Sequence, residues 1–446
     1  MSTALVPQGP RGHFLLGVMA EFNRDSLAFI ERLPREYGDV ARARFFYLWA
    51  YFLYNPEHIE QVLTTENRNF IKPRSVRSPF FCRLVGKGLL TSEGDFWRRQ
   101  RRLAQPAFHR GRINSYGETM VAYAEAMAAS WREGETRDVH EDMTHLTMRI
   151  VTRTLFNTDV THDARHINDA LKVIVEPFSS QATLKWILDN RLPTPANRRF
   201  HQAVRQIDAF IYRIINERRA SEEDYGDLLS MLLRAQDEDG TQMTDQQLRD
   251  EAMTIFLAGY ETTSLALSWA WLLLAQNPEA EAKLWQELDE MLGGRAPQMA
   301  DMPRLRYTEM IAKETMRLYP PAYIVGREAA TACEIGGYSV PAGTQVFMPT
   351  WVVHRDARFF DSPEEFRPER WTPEFIEQLP RYAYFPFGGG PRACIGNNFA
   401  MMEFILLLAT IAQKFRLRLA PEHEVKLKPA MSLRPAQGIK VRLEKR

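Results

Sequence analysis

Apolar residues recur every three to four positions along most of the chain, the spacing that lets one face of an α-helix pack against a core. Shorter stretches with strand character occur at residues 39–53 and 334–348, and the second alternates around Gly-Gly and Pro-Ala-Gly turns like a hairpin. The pattern therefore predicts a mainly α fold with a small β part. The predicted helices are residues 114–133, 140–156, 195–219, 246–276, 279–292 and 307–318.

The composition favours one large globular unit. No Ser/Gly-rich linker, charge block or internal repeat divides the 446 residues, so residues 1–446 are expected to form a single domain. With 45% hydrophobic and 25% charged residues the chain can bury a sizeable core. A net charge of +1 gives no global attraction to nucleic acid, so no nucleic-acid partner is expected.

Cysteine usage and hydropathy point to the cytoplasm. Cys82, Cys333 and Cys394 are widely spaced and odd in number, which argues against a disulfide framework or a zinc ribbon. The N-terminal residues lack the charge and apolar pattern of a signal peptide, and no membrane anchor is expected. Residues 252–275 have membrane length, but Glu261 near their middle would cost about 2.5 to 3.5 kcal/mol in a bilayer. A long helix buried in protein is the better interpretation.

The middle of this longest helix, which spans roughly 45 Å, is polar. Ala258 and Gly259 leave space beside the backbone, and Glu261 and Thr262 put an acid and a hydroxyl next to that space, which suits proton transfer. The alternative is a packing notch of small residues with the threonine bonded back to its own helix. The helix pattern alone leaves both interpretations open.

A second unusual stretch, FPFGGGPRACIGNNFA at residues 385–400, is rich in Gly and Pro and leads into a strongly apolar helix pattern. Asn397 is the predicted cap of that helix, so Cys394 should lie just before a helix N-terminus, where the dipole favours a thiolate. The alternative for a lone cysteine is a buried, inert thiol, and this is expected for Cys82 and Cys333, which lack such a loop.

Taken together, these motifs resemble those of the cytochrome P-450 family. The run from Phe387 to Gly396 fits the haem-binding loop pattern FxxGxRxCxG at every fixed position. The resemblance extends from residue 97 to the region beyond Cys394, and its motifs occur in the family's order. The other motifs are WRRQR at 97–101, AGYETT at 258–263, ETMR at 314–317 and RPERW at 367–371.

The resemblance implies a cytochrome P-450 fold with haem b held between the long central helix and the helix after the cysteine loop. Cys394 would be the proximal ligand of the haem iron, and a thiolate in that position favours O–O cleavage. Phe387 would pack beside its sulfur. The residues that the resemblance assigns to the haem are Trp97, Arg101, Ala258, Gly259, Arg327, His354, Phe387, Arg392, Cys394 and Gly396. Among these, Trp97, Arg101, Arg327, His354 and Arg392 would hold the propionates, the alternative for each being a solvated surface position.

Two further groups carry family roles. Glu314 and Arg317 would form a buried structural network with Arg370, although an i,i+3 pair is ordinarily a surface pair of little value. Thr262 and Glu261 resemble the alcohol–acid pair that supplies protons during oxygen activation. The expected reaction is monooxygenation, in which one atom of O2 enters a hydrophobic molecule.

The substrate residues come from apolar segments, which suggests a terpenoid, steroid, fatty acid or polyketide. Ordinary core packing is the alternative for each of them. The candidates are Phe80, Phe81, Phe178, Phe256, Tyr323, Ile324, Val325 and Leu433.

Too few residues follow Cys394 for a flavin domain, so electrons are expected from a separate protein. The resemblance implies a ferredoxin with its reductase, or a flavodoxin, with NAD(P)H as the ultimate source. Arg98 and Arg102 could meet an acidic partner or simply form a solvated helix face. The rival functions are a haem-thiolate peroxygenase or isomerase and a non-catalytic hydrophobic-ligand binder. Glu261 and Thr262 favour oxygen activation.

Overall fold

The apolar repeats of the sequence become helices that surround a common core, as seen in a computed structural model that describes residues 5–109, 111, 114–158, 164–175, 194–221, 225–236 and 240–446. All six predicted helices are present. The largest difference is at 114–133, where the α-helix is Gly117–Ser130 and Asn114–Tyr116 form a 3-10 turn. The α-helices of the described ranges are α1 (Met19–Arg24), α2 (Ser26–Tyr37), α3 (Pro56–Glu60), α4 (Pro79–Val85), α5 (Gly94–Ala104), α6 (Gly117–Ser130), α7 (Val139–Phe156), α8 (Ala164–Val175), α9 (Pro195–Ser221), α10 (Leu228–Arg234), α11 (Asp245–Gln276), α12 (Pro278–Leu292), α13 (Arg306–Leu318), α14 (Thr350–Val353), α15 (Pro373–Gln378) and α16 (Asn397–Ala412).

Strands occur at more places than the two that the sequence predicts. They are β1 (Val40–Phe45), β2 (Leu48–Leu53), β3 (Phe70–Ile71), β4 (Thr136–Asp138), β5 (Val325–Ala329), β6 (Cys333–Ile335), β7 (Tyr338–Val340), β8 (Gln345–Met348), β9 (Phe415–Leu419), β10 (Leu427–Pro429), β11 (Leu433–Pro435) and β12 (Lys440–Lys445). The additional ones are short segments whose pairing depends on tertiary contacts, so their local pattern is weak.

The largest sheet of the described residues has the strand order β1-β2-β8-β5-β3. The predicted hairpin at 334–348 forms only in part: β6 and β7 pair across Gly336 and Gly337, both with positive φ. Strand β8 instead pairs in parallel with β2 and antiparallel with β5, and so joins the N-terminal hairpin to the strand that carries Arg327.

Helix α11 crosses the molecule and is buried along most of its length. Thr244 and Gln247 form the capping box that their spacing in the sequence predicts, each side chain accepting the other residue's backbone N–H. A Cβ at Gly259 would lie 2.7 Å from Cγ2 of Val151, so glycine permits the close approach of α7 to α11. The packing-notch interpretation therefore applies to Gly259.

The cysteine loop leads into α16, whose residues are nearly all buried. Its N-cap is Gly396, not Asn397 as the sequence pattern predicts, and no side chain caps it. The Asn397 side chain accepts the N–H of Asn398 at 2.7 Å instead. In the part of the chain that the structure describes, no helix is long and apolar enough to cross a bilayer.

Candidate active site

A cavity of about 370 Å³ lies between α11 and the cysteine loop. Helix α11 contributes Ile255, Thr262 and Ala266 to one wall, and the loop contributes Cys394 to the wall that faces them. The sequence predicted this arrangement of a long helix opposite the cysteine loop. The predicted haem-binding residues that line the cavity are Trp97, Arg101, Ala258, Gly259, Arg327, Phe387, Arg392, Cys394 and Gly396.

The cavity is strongly cationic at one end. Lys72, Arg101, Arg327 and Arg392 line it, and the described lining contains no aspartate or glutamate. Burial lowers the pKa of Arg327 and that of Arg392 to about 10. Burial, reinforced by these two arginines, lowers the pKa of Lys72 to about 7. Because buried cations are stabilised by anionic partners, this end suits the two propionates of haem.

Lys72 has no signal in the sequence that would single it out. It follows directly after β3, outside any of the recognised motifs. Its backbone N–H donates to Glu93 at 2.6 Å, and Glu93 also forms an ion pair with Arg392. One carboxylate thus joins Lys72 to the cysteine loop.

Two residues of the WRRQR motif, Trp97 and Arg101, contact the cysteine loop. The Arg101 guanidinium donates to the backbone oxygen of Ala393 at 3.0 Å. The Arg392 guanidinium lies 3.8 Å from the Trp97 ring centre and donates to the Ser92 carbonyl at 2.9 Å. These contacts explain the i,i+4 spacing of the tryptophan and arginine, since both reach the loop from one face of α5.

The Cys394 thiol lies in an environment with opposing effects. Burial raises its pKa, whereas the Gly396 N–H and the cations Arg101 and Lys72 lower it. Burial is the largest effect, so the helix N-terminus alone does not create the thiolate that the sequence predicts. Cys394 is itself exposed, because it opens onto the cavity, and a sulfur there, close to cations and an N–H donor, is suited to a bond with a metal cation, which would displace the proton.

His354 does not reach the cavity, and its predicted contact with a propionate is not supported. Its ring is fully buried, and Nε2 accepts the backbone N–H of Phe385 at 2.9 Å. Burial lowers its pKa to about 3, so the ring is neutral. A neutral acceptor of this kind fixes the start of the cysteine loop.

The structure brings Glu314, Arg317 and Arg370 together, all buried. Both carboxylate oxygens of Glu314 accept from Arg317 at 2.9 Å, and one also accepts from Arg370 at 2.9 Å. The Trp371 indole N–H donates to the other oxygen at 2.9 Å. Arg317 also donates to the backbone oxygens of His354, Pro363 and Glu365. The network therefore ties α13 to the segment before the cysteine loop.

Glu261 and Thr262 point in different directions. Thr262 lines the cavity, and its hydroxyl donates to the Ala258 carbonyl at 2.8 Å. Glu261 is buried, lies 2.5 Å from an Arg434 nitrogen and accepts from the Ser432 hydroxyl. Successive residues on a helix do not share a face, which explains the divergence. The proton-supplying role of Glu261 stays a prediction, and its carboxylate would have to leave Arg434 to fulfil it.

Another buried acid lies beside the cavity. Glu403 on α16 is fully buried, and burial raises its pKa to about 8, opposed by the hydroxyl of Thr263. Thr263 itself lines the cavity. The sequence does not single out this glutamate, because the α16 residues around it are almost all apolar and indicate only core packing.

Of the predicted substrate residues, Val325 lines the cavity. Phe178 lies outside the described residues. The other predicted residues pack elsewhere: Phe80 stacks on Phe200, Ile324 is half-buried against the core, and Phe81, Phe256, Tyr323 and Leu433 are core residues. The α11 residues that do face the cavity include Ile255, Gly259, Thr262 and Ala266. Their three-to-four-residue repeat leaves Phe256 on another face, and the sequence could have revealed this.

Comparisons with known proteins identify the family of the chain. Residues 7–443 match the family model described as Cytochrome P450. The relative named "Cyclooctatin synthase" from Streptomyces melanosporofaciens is 41% identical over 431 residues, which cover 95% of this chain and 92% of the relative. "Pentalenene oxygenase" from Streptomyces avermitilis is 35% identical, with coverage of 92% and 91%. The crystal structure of the cytochrome P450DA heme domain superposes with a TM-score of 0.89 at 27% identity and covers 99% of this chain and 98% of that one.

The chain therefore belongs to the cytochrome P-450 family. It is a haem-thiolate monooxygenase that uses O2, acts on a hydrophobic small molecule and requires a redox partner. The fold predicted from the sequence is confirmed.

Proposed function

We propose that this enzyme oxygenates a cyclic terpenoid hydrocarbon or alcohol and that residues 1–446 act as one unit. Relatives named pentalenene oxygenase and cyclooctat-9-en-7-ol 5-monooxygenase support this substrate class. The apolar wall of the cavity supports it too, since Leu89, Leu90, Ile255, Ala266 and Val325 offer an apolar partner to a ring system. The observation that carries the proposal is that one cavity is lined both by Cys394 with four cations and by these apolar side chains.

Each part of the cavity has a proposed task in holding haem. Cys394 ligates the iron, and the Gly396 N–H stabilises its sulfur. Lys72, Arg101, Arg327 and Arg392 neutralise the propionates, with Trp97 supporting Arg392. Phe387 packs beside the sulfur, and its carbonyl accepts the Cys394 N–H at 2.9 Å, which fixes the loop. Bound haem supplies the oxygen-activating chemistry.

Lys72 should make haem uptake depend on pH. With a pKa of about 7, Lys72 of the apoprotein is neutral at alkaline pH. A propionate favours the charged form of the lysine, so haem binding at alkaline pH must be accompanied by the uptake of a proton. Its contribution is complete below pH 7, and wild-type affinity should fall by up to about tenfold per pH unit above it. Titration of the apoprotein with haem at several pH values would measure this effect. Lys72→Met should bind haem more weakly than wild type at low pH, and its affinity should lack the part of the pH dependence that Lys72 causes.

The exposed Lys87, in the next loop, provides the matched control as Lys87→Met. That variant should keep the wild-type pH dependence. Equal pH profiles for Lys72→Met and wild type would contradict the assignment, because loss of Lys72 should change the profile both directly and through the pKa of Cys394, which Lys72 lowers.

Thr262, which lines the cavity, is proposed to hold and pass a proton at its Oγ1 and to help order the solvent there. Thr262→Ala should retain haem and substrate binding but should lower the ratio of product to NAD(P)H by about tenfold or more, releasing hydrogen peroxide instead. Thr254→Ala, on the same helix and the same cavity, is the control. An unchanged ratio in Thr262→Ala would rule out this role.

The proposed electron donor is a ferredoxin with its reductase, or a flavodoxin, in the cytoplasm, with NAD(P)H as the source. The outer face of α5 gives only partial support to docking of an acidic partner protein. Arg98 is well exposed, but it already forms an ion pair with Asp95. A reduction rate that does not respond to salt would argue against docking there.

The substrate proposal is tested by incubation with cyclic terpenes and terpene alcohols, surrogate ferredoxin partners, NAD(P)H and isotopically labelled O2. The expected result is a product that carries one labelled oxygen atom. Oxygenation of fatty acids or steroids, with no terpenoid turned over, would contradict the substrate class but not the monooxygenase family.

A further inference from the structure

Two turns that are distant in the sequence lie side by side and expose apolar side chains. One is the turn from His13 to Gly17, and the other is the tip of the β1–β2 hairpin, joined to it where the Phe46 N–H donates to the Leu16 carbonyl at 3.1 Å. Phe14 is 76% exposed and Tyr47 65%. We define the hairpin-tip surface as Phe14, Leu15, Leu16, Phe46, Tyr47 and Trp49, all of them exposed.

This exposure is built into the fold by Arg44. Its guanidinium donates to the carbonyls of His13 at 2.8 Å, Phe14 at 2.7 Å and Phe46 at 2.6 Å. Gly17, with φ of 62°, crosses so close to β1 that a Cβ there would lie 1.7 Å from the Arg44 carbonyl. The backbone polar groups thus turn inward, and the apolar side chains are held outward.

The surroundings of the surface are cationic. Residues 5–20 and 40–54 contain Arg11, Arg42 and Arg44 but no aspartate or glutamate. Arg42 lies 4.8 Å from the ring centre of Trp49. The flanking acids are already neutralised, since Glu21 pairs with Arg32 and Asp39 with Arg358. With a net charge of only +1 for the whole chain, this cationic apolar surface is a local feature.

A groove of about 390 Å³ opens beside the surface. Arg42, Tyr47 and Trp49 form one side of it, and the 341–344 turn forms the other. Aromatic rings next to arginine are the combination found where proteins meet the headgroup region of a bilayer.

We propose that the hairpin-tip surface binds reversibly to the interface of an anionic phospholipid membrane. Its apolar side chains would enter the headgroup boundary while Arg11 and Arg42 meet lipid phosphates. The three arginines of this region have no aspartate or glutamate beside them in residues 5–20 and 40–54, which favours an anionic membrane as the binding partner. A second copy of the chain would present the same positive charge and would be repelled. The sheet that ends in this hairpin also contains β5, which carries Val325 and Arg327 of the cavity.

Such docking would bring the cavity to a phase in which apolar molecules dissolve. The inference does not depend on the terpenoid proposal, because vesicle binding is measured without turnover. Full-length holoenzyme would be sedimented with vesicles of phosphatidylcholine alone and with vesicles that also contain phosphatidylglycerol. Binding is expected to the anionic vesicles and should weaken as salt is raised.

The variant Phe14→Glu/Tyr47→Glu should lower the affinity for anionic vesicles at least about tenfold. Ile376→Glu is the matched control, because Ile376 is 44% exposed but lies on α15, outside the surface. An unchanged haem spectrum and unfolding temperature would verify the fold, and the milder Leu15→Ser/Tyr47→Ser would replace the charged variant if that one fails to fold.

Two results would overturn the proposal: wild-type enzyme that stays in solution with anionic vesicles, or variants that bind them as well as wild type does. A third would be a wild-type dimer that becomes monomeric in the variant without any vesicle binding. That outcome would assign the surface to contact between copies of the chain.

Discussion

Cys394→Ser is expected to abolish NAD(P)H-supported oxygenation while the chain still folds. The cations that line the cavity do not depend on the sulfur, so haem should still associate, though more weakly. A serine hydroxyl is a far poorer anion than a thiolate and cannot supply the electron density that oxygen activation requires. Product analysis beside haem quantitation would separate lost chemistry from lost cofactor.

The other two cysteines provide the controls. Burial raises the pKa of both Cys82 and Cys333, and neither lines the cavity. Cys82→Ser and Cys333→Ser should therefore retain wild-type turnover. Retained turnover in Cys394→Ser would refute the assignment of the proximal ligand.

Glu314→Ala is expected to lower the free energy of unfolding by about 3 to 5 kcal/mol, since it leaves two buried guanidinium groups without their carboxylate. Arg317 and Arg370 are both buried, and the Trp371 indole would also lose its acceptor. Because the network ties α13 to the segment that precedes the cysteine loop, haem retention should fall as well. Denaturant unfolding and haem content would measure the two effects.

Glu309→Ala is the matched control on the same helix. Glu309 forms a partly exposed i,i+4 pair with Lys313 at 2.9 Å, and surface pairs of this kind contribute about 0 to 1 kcal/mol. If Glu314→Ala were no more destabilising than Glu309→Ala, the network would have no special structural role.

Much of the fold can be predicted because helices leave a repeated signal. The periodic segment 246–276 became α11 with its capping box at Thr244 and Gln247, since both features depend on local spacing. Strand β8 shows the opposite case. Its local sequence suggests a hairpin, but tertiary pairing with β2 and β5 decides its position.

The site was predictable where a motif fixes side chains through nearby backbone. Cys394, Arg392 and Trp97 meet at the cavity because the loop and the i,i+4 spacing bring them there. Directions that depend on distant partners were not predictable. Arg434 determines where Glu261 points, and the Phe385 N–H determines what His354 does.

Lys72 shows what sequence reasoning missed altogether. Its position beside Arg327 arises because β3 and β5 pair. Together with Arg101 and Arg392, the cavity end then collects four cations from distant segments. Only the assembled structure reveals the resulting charge, which in turn predicts the pH dependence of haem uptake.

Whether Cys394 ligates the haem iron as a thiolate is tested by the absorption spectrum of the purified, reduced protein with carbon monoxide. A strongly red-shifted Soret band is expected, the signature of a thiolate from Cys394 on the haem iron. An unshifted band from folded, haem-loaded protein would mean a neutral thiol or another ligand, and the proposed oxygen-activation roles would be contradicted with it.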